Sequence, residues 1–231
     1  MSATVATDTA PDDGDVRARL SREQIVDEAL ALADRLGLEE LTLRKLAVQL
    51  GVTPMALYWH LRDKDALLDA LGERLFASIE LPAPVDDWFK DLTGVSHAIT
   101  AGLRRHLAIA PLALSSIVTS EAGLVISERV LSLLVRGGLS DEDAANAGAF
   151  FLHGVVALLG SIPGALPESR HATAARLRAR VADSIDLSSF PVVSRMAPHL
   201  LECDDQDGFI AQGIEILLLG IRGLVERAPA P

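Results

Sequence analysis

Tyr58, Trp59 and His60 stand side by side in a short segment that follows Gly51 and opens at Pro54. In a helix beginning at Pro54, Leu57 and Leu61 share one face, which leaves Met55, Ala56, Tyr58, Trp59 and His60 for other directions. Exposing Tyr, Trp and His together on a short helix is costly for an idle surface. Such groups can contact thymine methyls, sugars and phosphates of nucleic acid, and the helix N-terminus adds backbone N–H donors for a phosphate. The alternative is that Tyr58 and Trp59 pack on the first helix. Catalytic chemistry has much less footing. The chain has no Gly-rich phosphate loop, no G-x-S-x-G elbow and no H-E-x-x-H pair. Ser115 and Ser116 near His106 are the nearest approach to a nucleophile and base, so neither enzymatic activity nor a cofactor is expected. His97 with Asp91, and His106 with Glu121, are not at metal-ligand spacing, and no metal site is expected. Cys203 is the sole cysteine, which excludes an intrachain disulfide and a multi-cysteine metal site.

The elements that would carry the aromatic cluster can be read from caps and periodicity. Ser21 with Gln24 three residues on is a capping box. Ile25, Ala29, Leu32 and Leu36 then form one stripe, and Gly37 supplies a left-handed stop. Thr42 caps a short helix carrying Leu43, Leu46, Ala47 and Leu50, which Gly51 ends. Thr53 caps the next, with Pro54 at the first helical position. Two short helices joined by a tight Gly turn make a helix-turn-helix. Asp63 opens a longer helix, with Leu67, Leu68, Leu71, Leu75 and Ile79, running to Pro82. Further helices are expected at about 85–108, 111–118, 121–136, 140–161, 168–186 and 208–227, with a loop-rich passage at 187–207 and no strand.

Composition agrees with an all-helical chain: of 231 residues 49% are hydrophobic and only 4% aromatic. A formal net charge of −11 excludes a protein that coats DNA by bulk electrostatics, because non-specific affinity comes from neutralising phosphates. Between residues 16 and 64 basic and acidic side chains roughly balance, so any nucleic-acid contact is confined to a locally neutral or basic head on an acidic body. Residues 1–20 read as a disordered tail rather than a signal peptide. The apolar stretches near 154–166 and 214–224 are interrupted by Pro163, Glu215 and Arg222 and fall short of the roughly 18 to 20 residues that span a bilayer. A soluble, cytoplasmic protein without membrane contact is expected. The helices at 140–161 and 208–227 are nevertheless apolar nearly all round, which a soluble protein resolves by covering them on both sides, either with its own core or, as is expected for two such helices in a body this small, with a second subunit.

Residues 21–75 resemble the DNA-binding domain of the TetR family, and within it especially the tetracycline-repressor branch. The shared words are Leu43-Arg44-Lys45-Leu46-Ala47, with the Leu-Arg-Lys-Leu-Ala order, then Leu50-Gly51-Val52, Leu57-Tyr58-Trp59-His60 and Lys64-Asp65-Ala66-Leu67-Leu68-Asp69-Ala70-Leu71. The resemblance implies that Arg44 reaches a guanine, that Tyr58, Trp59 and His60 contact backbone and base edges, and that Lys64 clamps a phosphate. It also puts Thr42 and Thr53 at helix starts that meet the DNA backbone. Pro54, Met55 and Ala56 occupy the variable base-reading positions without polar side chains, which implies readout there by apolar contact.

The body resembles the family through the apolar helix at 140–161 and the closing pattern from Phe209. The family organisation this implies is a tail at 1–20, a helix-turn-helix domain at 21–65 and a helical ligand-binding and dimerisation domain at 66–231, with the fourth helix as the joint. Candidate ligand residues are Trp88, Phe89, His97, Leu103, Arg104, His106, Ile117, Phe150 and His153, which add bulk and a few polar handles to an Ala/Leu/Val interior. Candidate dimerisation residues are Phe151, Val155, Leu158, Gly213, Leu217, Gly220 and Leu224. The drug-binding His-Leu-Gly-Thr-Arg-Pro segment of the tetracycline-repressor branch has no counterpart, the corresponding residues being His106-Leu107-Ala108-Ile109-Ala110-Pro111. Tetracycline is thereby disfavoured, and a large, mainly apolar molecule is the expected effector. The functional expectation is a ligand-responsive transcriptional repressor that binds a palindromic operator as a homodimer and is released by a small molecule. The alternative is a ligand-binding or protein-interaction module of the same fold that does not regulate through operator DNA.

Overall fold

The computed structural model of the chain describes residues 20–160, 189–201 and 205–228, which form ten α-helices and one short 3-10 turn, with no strand among them. Most of the expected tail, the helix expected at 168–186, and Cys203 lie outside the described residues. Two compact units divide the chain between Leu71 and Gly72.

In the first unit α1 spans Arg22–Leu36, α2 Leu43–Leu50 and α3 Pro54–Tyr58, and α4, Lys64–Ala77, begins there. The Ser21 capping box is complete: its hydroxyl accepts from the Gln24 N–H at 3.1 Å and its own N–H donates to the Gln24 amide oxygen at 2.9 Å. Gly51 is left-handed (φ 67°, ψ 28°), whereas Gly37 stops α1 at φ 86°, ψ 154°, an extended positive-φ conformation essentially reserved for glycine. Thr53 precedes α3 but its side chain makes no capping bond, so the hydroxyl expected to cap is left at the surface. Ile25, Leu32, Leu41, Leu46, Leu57, Leu61 and Leu67 are buried and form this unit's core.

Gly72 and the rest of α4 belong to the second unit, with α5 at Trp88–Arg105, a 3-10 turn at Ala110–Leu112, α6 at Ala113–Ser116, α7 at Glu121–Arg136, α8 at Asp141–Gly160, α9 at Pro191–Leu201 and α10 at Gln206–Arg227. Helix α4 stops at Ala77 rather than running to Pro82: the Ser78 hydroxyl donates to the Leu75 carbonyl at 2.7 Å, and Ile79 leaves the helix to be buried. Helix α9 corrects the loop expected over 187–207. Pro191 is its first residue, where a missing N–H costs nothing, so the proline starts a helix there. Helices α8 and α10, of 20 and 22 residues, are long and apolar enough by length and composition to cross a membrane, contrary to the shorter stretches expected. In this fold they pack along each other, and α8 also lies on α7 and α5.

Candidate nucleic-acid interface and apolar cavity

The first unit presents its aromatic cluster because α3 has only one apolar face to give to the core. Ala56 and Leu57 are buried, as is Leu61 just beyond the helix, which turns Met55, Tyr58 and Trp59 outward at 67%, 49% and 84% exposure. Pro54 and Thr53 are exposed beside them, and His60 is half-buried. Ala56 corrects the expectation that it reads bases. It lies against the core on the same side as Leu57, one residue along, where a base edge has no access.

The cations around this surface differ in their partners. Lys45 is paired with Glu40, whose carboxyl is held below its ordinary range first by that hydrogen bond and then by the Lys45 charge. Arg62 Nε donates to Asp63 at 2.8 Å, and the Arg35 guanidinium donates to the Gln49 amide oxygen at 3.1 Å. Asp63 also accepts from the Ala66 N–H at 2.8 Å, capping α4, and this bond is the main reason its carboxyl is held low. Arg44 and Lys64, both exposed, have no ion-pair partner among the described residues. Thr42 caps α2 by accepting from the Lys45 N–H at 3.2 Å. Two cations without ion-pair partners at helix starts therefore accompany the exposed aromatics, while Lys45 and Arg62 are neutralised by Glu40 and Asp63.

The second unit holds a cavity of about 240 Å³. It is lined by Ile99 of α5, Ile117 and Val118 after α6, Ile126, Ser127, Val130 and Leu131 of α7, and Ala145, Gly148, Ala149, Phe151 and Leu152 of α8, and it opens to solvent beside the exposed Val118, Ala145 and Ala149. Of the expected ligand residues only Ile117 lines it. The others are placed by different forces. Trp88 meets Phe89 edge-on at 5.5 Å and rests on Gly137, while Phe89 lies under the Arg222 guanidinium at 4.9 Å. Leu103 is core, Arg104 pairs with Asp207 of α10, and His106 ends α5. His97 is exposed, Phe150 is 78% exposed, and the exposed His153 spends its Nδ1 on the Ala149 carbonyl at 2.7 Å. These side chains do not converge on one pocket.

The expected dimerisation residues also separate. Phe151 and Val155 are buried in the protomer's own core and offer no surface to a second chain. Leu158 packs over Gly213, and Leu217 over Gly154, so these four fasten α8 to α10 within one protomer. Gly220 and Leu224 are exposed, as are Phe150, Ile216 and Leu219.

Two features escaped the reading of the sequence. Asp91 is buried; Arg129 Nη2 donates to both of its carboxylate oxygens, at 2.8 and 2.9 Å, and the Val85 N–H donates at 3.2 Å, with Arg136 at 3.8 Å. Burial pushes its carboxyl up, but the Arg129 bonds, the Val85 N–H and the two positive charges outweigh it and hold the group below its ordinary value. The signal was available: Asp91 continues the stripe of Val95, Ile99 and Leu103 at four-residue spacing, and a carboxylate on a buried stripe requires a partner. The second feature joins α4 to the cavity wall. A Cβ at Gly72 would lie 1.9 Å from Ser116 Oγ, so α4 and α6 are in backbone-close contact. The Ala122 N–H donates to Glu73 at 3.2 Å, and Ser127 Oγ donates to the Ile117 carbonyl at 3.2 Å. Among the described residues no group of His, Cys, Asp or Glu could hold a metal ion.

Comparison with known proteins adds two family matches: "Bacterial regulatory proteins, tetR family" over residues 25–71 and "Tetracyclin repressor-like, C-terminal domain" over residues 81–225. Tetracycline repressor protein class D of Escherichia coli is 31% identical over 206 residues, covering 88% of this chain and 89% of that protein. The HTH-type transcriptional repressor DrrR1 of Streptomyces coeruleorubidus is 26% identical over 230 residues, 91% of this chain and 82% of its own. The crystal structure of ActR from Streptomyces coelicolor in complex with actinorhodin matches with a TM-score of 0.72 at 28% identity, over 89% of this chain and 98% of that one.

Proposed function

Since the chain belongs to the TetR family of bacterial regulatory proteins, DNA-binding transcriptional repressors rather than enzymes, we propose that it represses transcription as a homodimer on a palindromic operator and is released by a small molecule. The observation that carries the reading is the α3 surface, where Trp59, Met55 and Tyr58 stand exposed beside the unpaired Arg44 and Lys64. Arg44 reads a base edge, Tyr58, Trp59, His60 and Met55 contact sugars, phosphates and thymine methyls, and Thr42, Thr53 and Lys64 engage the backbone. Residues 21–65 serve as the reading head and the helices after it as the ligand and dimer domain. The exposed apolar side chains of α8 and α10, Phe150, Ile216, Leu219 and Leu224, supply the face for a second copy, which sets two recognition helices about 34–36 Å apart in successive major grooves. Ligand in the α5–α7–α8 cavity shifts the Ser116 and Ala122 contacts on Gly72 and Glu73 and so moves α4. By linkage, operator and ligand weaken each other's binding. A cytoplasmic location, where operator DNA resides, follows from this role.

The test is a mobility shift with DNA from the protein's own promoter region. Retardation that depends on salt and is relieved by a cavity ligand is expected. No retardation at low salt would overturn the repressor reading and favour a module that has kept the head without regulating through DNA.

A further inference from the structure

We propose that residues 8–15 of this chain, which lie outside the described residues, dock in the open groove between α1 and α2 and cover Arg44, so that the reading head carries its own acidic competitor of DNA. The inference rests on the reading of Arg44 as a DNA contact and adds a regulation of that contact.

The groove belongs wholly to the first unit. Leu32 and Leu36 of α1 and Val48 of α2 give it apolar surface, and Arg35, Arg44 and Lys45 stand along it. Leu36 and Val48 are 46% and 77% exposed, so uncovered apolar side chains lie beside three cations. No carboxylate lines the groove. Lys45 has Glu40 at its side, but Arg35 donates to the neutral Gln49 amide, which satisfies a hydrogen bond and cancels no charge. Arg44 has no ion-pair partner among the described residues. An occupant that suits this surface is an extended acidic peptide with small apolar side chains between its charges.

Residues 8–15 read Asp-Thr-Ala-Pro-Asp-Asp-Gly-Asp, with four carboxylates, no basic side chain, and Ala10 and Pro11 between the charges. Pro11 biases Ala10 toward extended backbone. The connection is long enough. From Arg22 to Arg35 the helix rises about 20 Å, and the chain from Asp12 to Arg22 reaches about 33 Å when extended. Asp8, Asp12 and Asp13 therefore reach the groove by running back along α1. A tethered segment acts at a millimolar effective concentration, so exposed charge pairs of small individual worth suffice to populate the contact. Carboxylates held against Arg44 exclude a base edge or phosphate both by charge and by occupancy.

The experiment compares the full chain with a full-length variant carrying Asp8→Asn, Asp12→Asn, Asp13→Asn and Asp15→Asn, each with and without Arg35→Gln. Binding to DNA from the protein's own promoter region is followed by fluorescence anisotropy, and the backbone amides are followed by NMR in the absence of DNA. The asparagine variant should bind DNA about tenfold more tightly at about 50 mM salt, a gain that narrows as added salt screens the charges. Arg35→Gln removes a cation that holds the acidic segment, and should cut that gain to about threefold or less. Without DNA, the amides of Leu36, Arg44 and Val48 should shift between the parent and the asparagine variant. A gain left whole by Arg35→Gln, or groove amides that do not move, would assign the effect to plain repulsion between acid and DNA and overturn the docking. Unchanged or weaker DNA binding by the asparagine variant would overturn the competition. Groove amides that shift while neither protein retains DNA would support the docking and overturn the repressor reading.

Discussion

Gly72→Ala puts the contact between α4 and the cavity wall to a quantitative test. At an exposed helix position, glycine to alanine stabilises by about 1 kcal/mol. At Gly72 the added Cβ would fall 1.9 Å from Ser116 Oγ and 2.5 Å from Ser116 Cβ. Rotating the hydroxyl relieves only the first of these. The second requires α4 and α6 to part by roughly 1 Å, and overpacking of this kind costs about 1–3 kcal/mol. The propensity gain offsets part of that, so a net loss of about 1 kcal/mol is expected, where an open site would gain the same amount. The rescue pattern is specific. Ser116→Ala keeps the Cβ and should not help. Ser116→Gly leaves Cα at 4.0 Å as the nearest atom and should recover most of the loss relative to its own single-variant cost. Urea unfolding of the four-member cycle, with the dependence on urea unchanged, measures a coupling of about 1–3 kcal/mol. Because α4 begins in the reading head, Gly72→Ala should also weaken retention of promoter DNA, and Ser116→Gly should restore it. A stabilised Gly72→Ala, or rescue by Ser116→Ala equal to that by Ser116→Gly, would refute the close contact and the route it provides.

Asp91→Ala should cost about 3 kcal/mol in unfolding free energy, the low end for breaking a buried pair because Arg129 keeps some access to water. Asp91 titrates below its ordinary value of 3.8 in the folded chain, so its contribution is complete above that value and is lost as pH falls through the lower folded one. The parent protein should therefore lose stability more steeply below about pH 4 than Asp91→Asn, as followed by circular dichroism. Arg44→Ala should lose discrimination at one base pair by about 1–3 kcal/mol, whereas Lys64→Ala should weaken all sequences alike and flatten the salt slope by about one, both measured by fluorescence anisotropy on operator and random DNA. Equal loss on both DNAs for Arg44→Ala would remove its base-reading role. Trp59→Ala should leave the melting temperature within about 2 °C, since Trp59 is 84% exposed, while reducing DNA affinity; a large fall in melting temperature would mean that Trp59 is a packing residue.

Most of the helical order was legible because its causes are local. A capping box acts across three residues, Gly51 ends α2 by its own dihedral angles, and the stripes of Ile25, Ala29, Leu32 and Leu67, Leu71, Leu75 repeat at the helical period and are buried. The words around Arg44, Tyr58, Trp59 and Lys64 identified the family for the same reason, being contiguous. What tertiary structure alone decided is phase and partnership. Helix α8 is apolar nearly all round, so periodicity could not tell that Phe151 and Val155 face inward while Phe150 faces out. Asp91 meets Arg129 across 38 residues, and the cavity wall is assembled from α5, α7 and α8 with the turn after α6, so neither has a signature within one sequence window. A helix specifies which residues share a side; only the neighbours that cover that side decide whether it becomes core, cavity or interface.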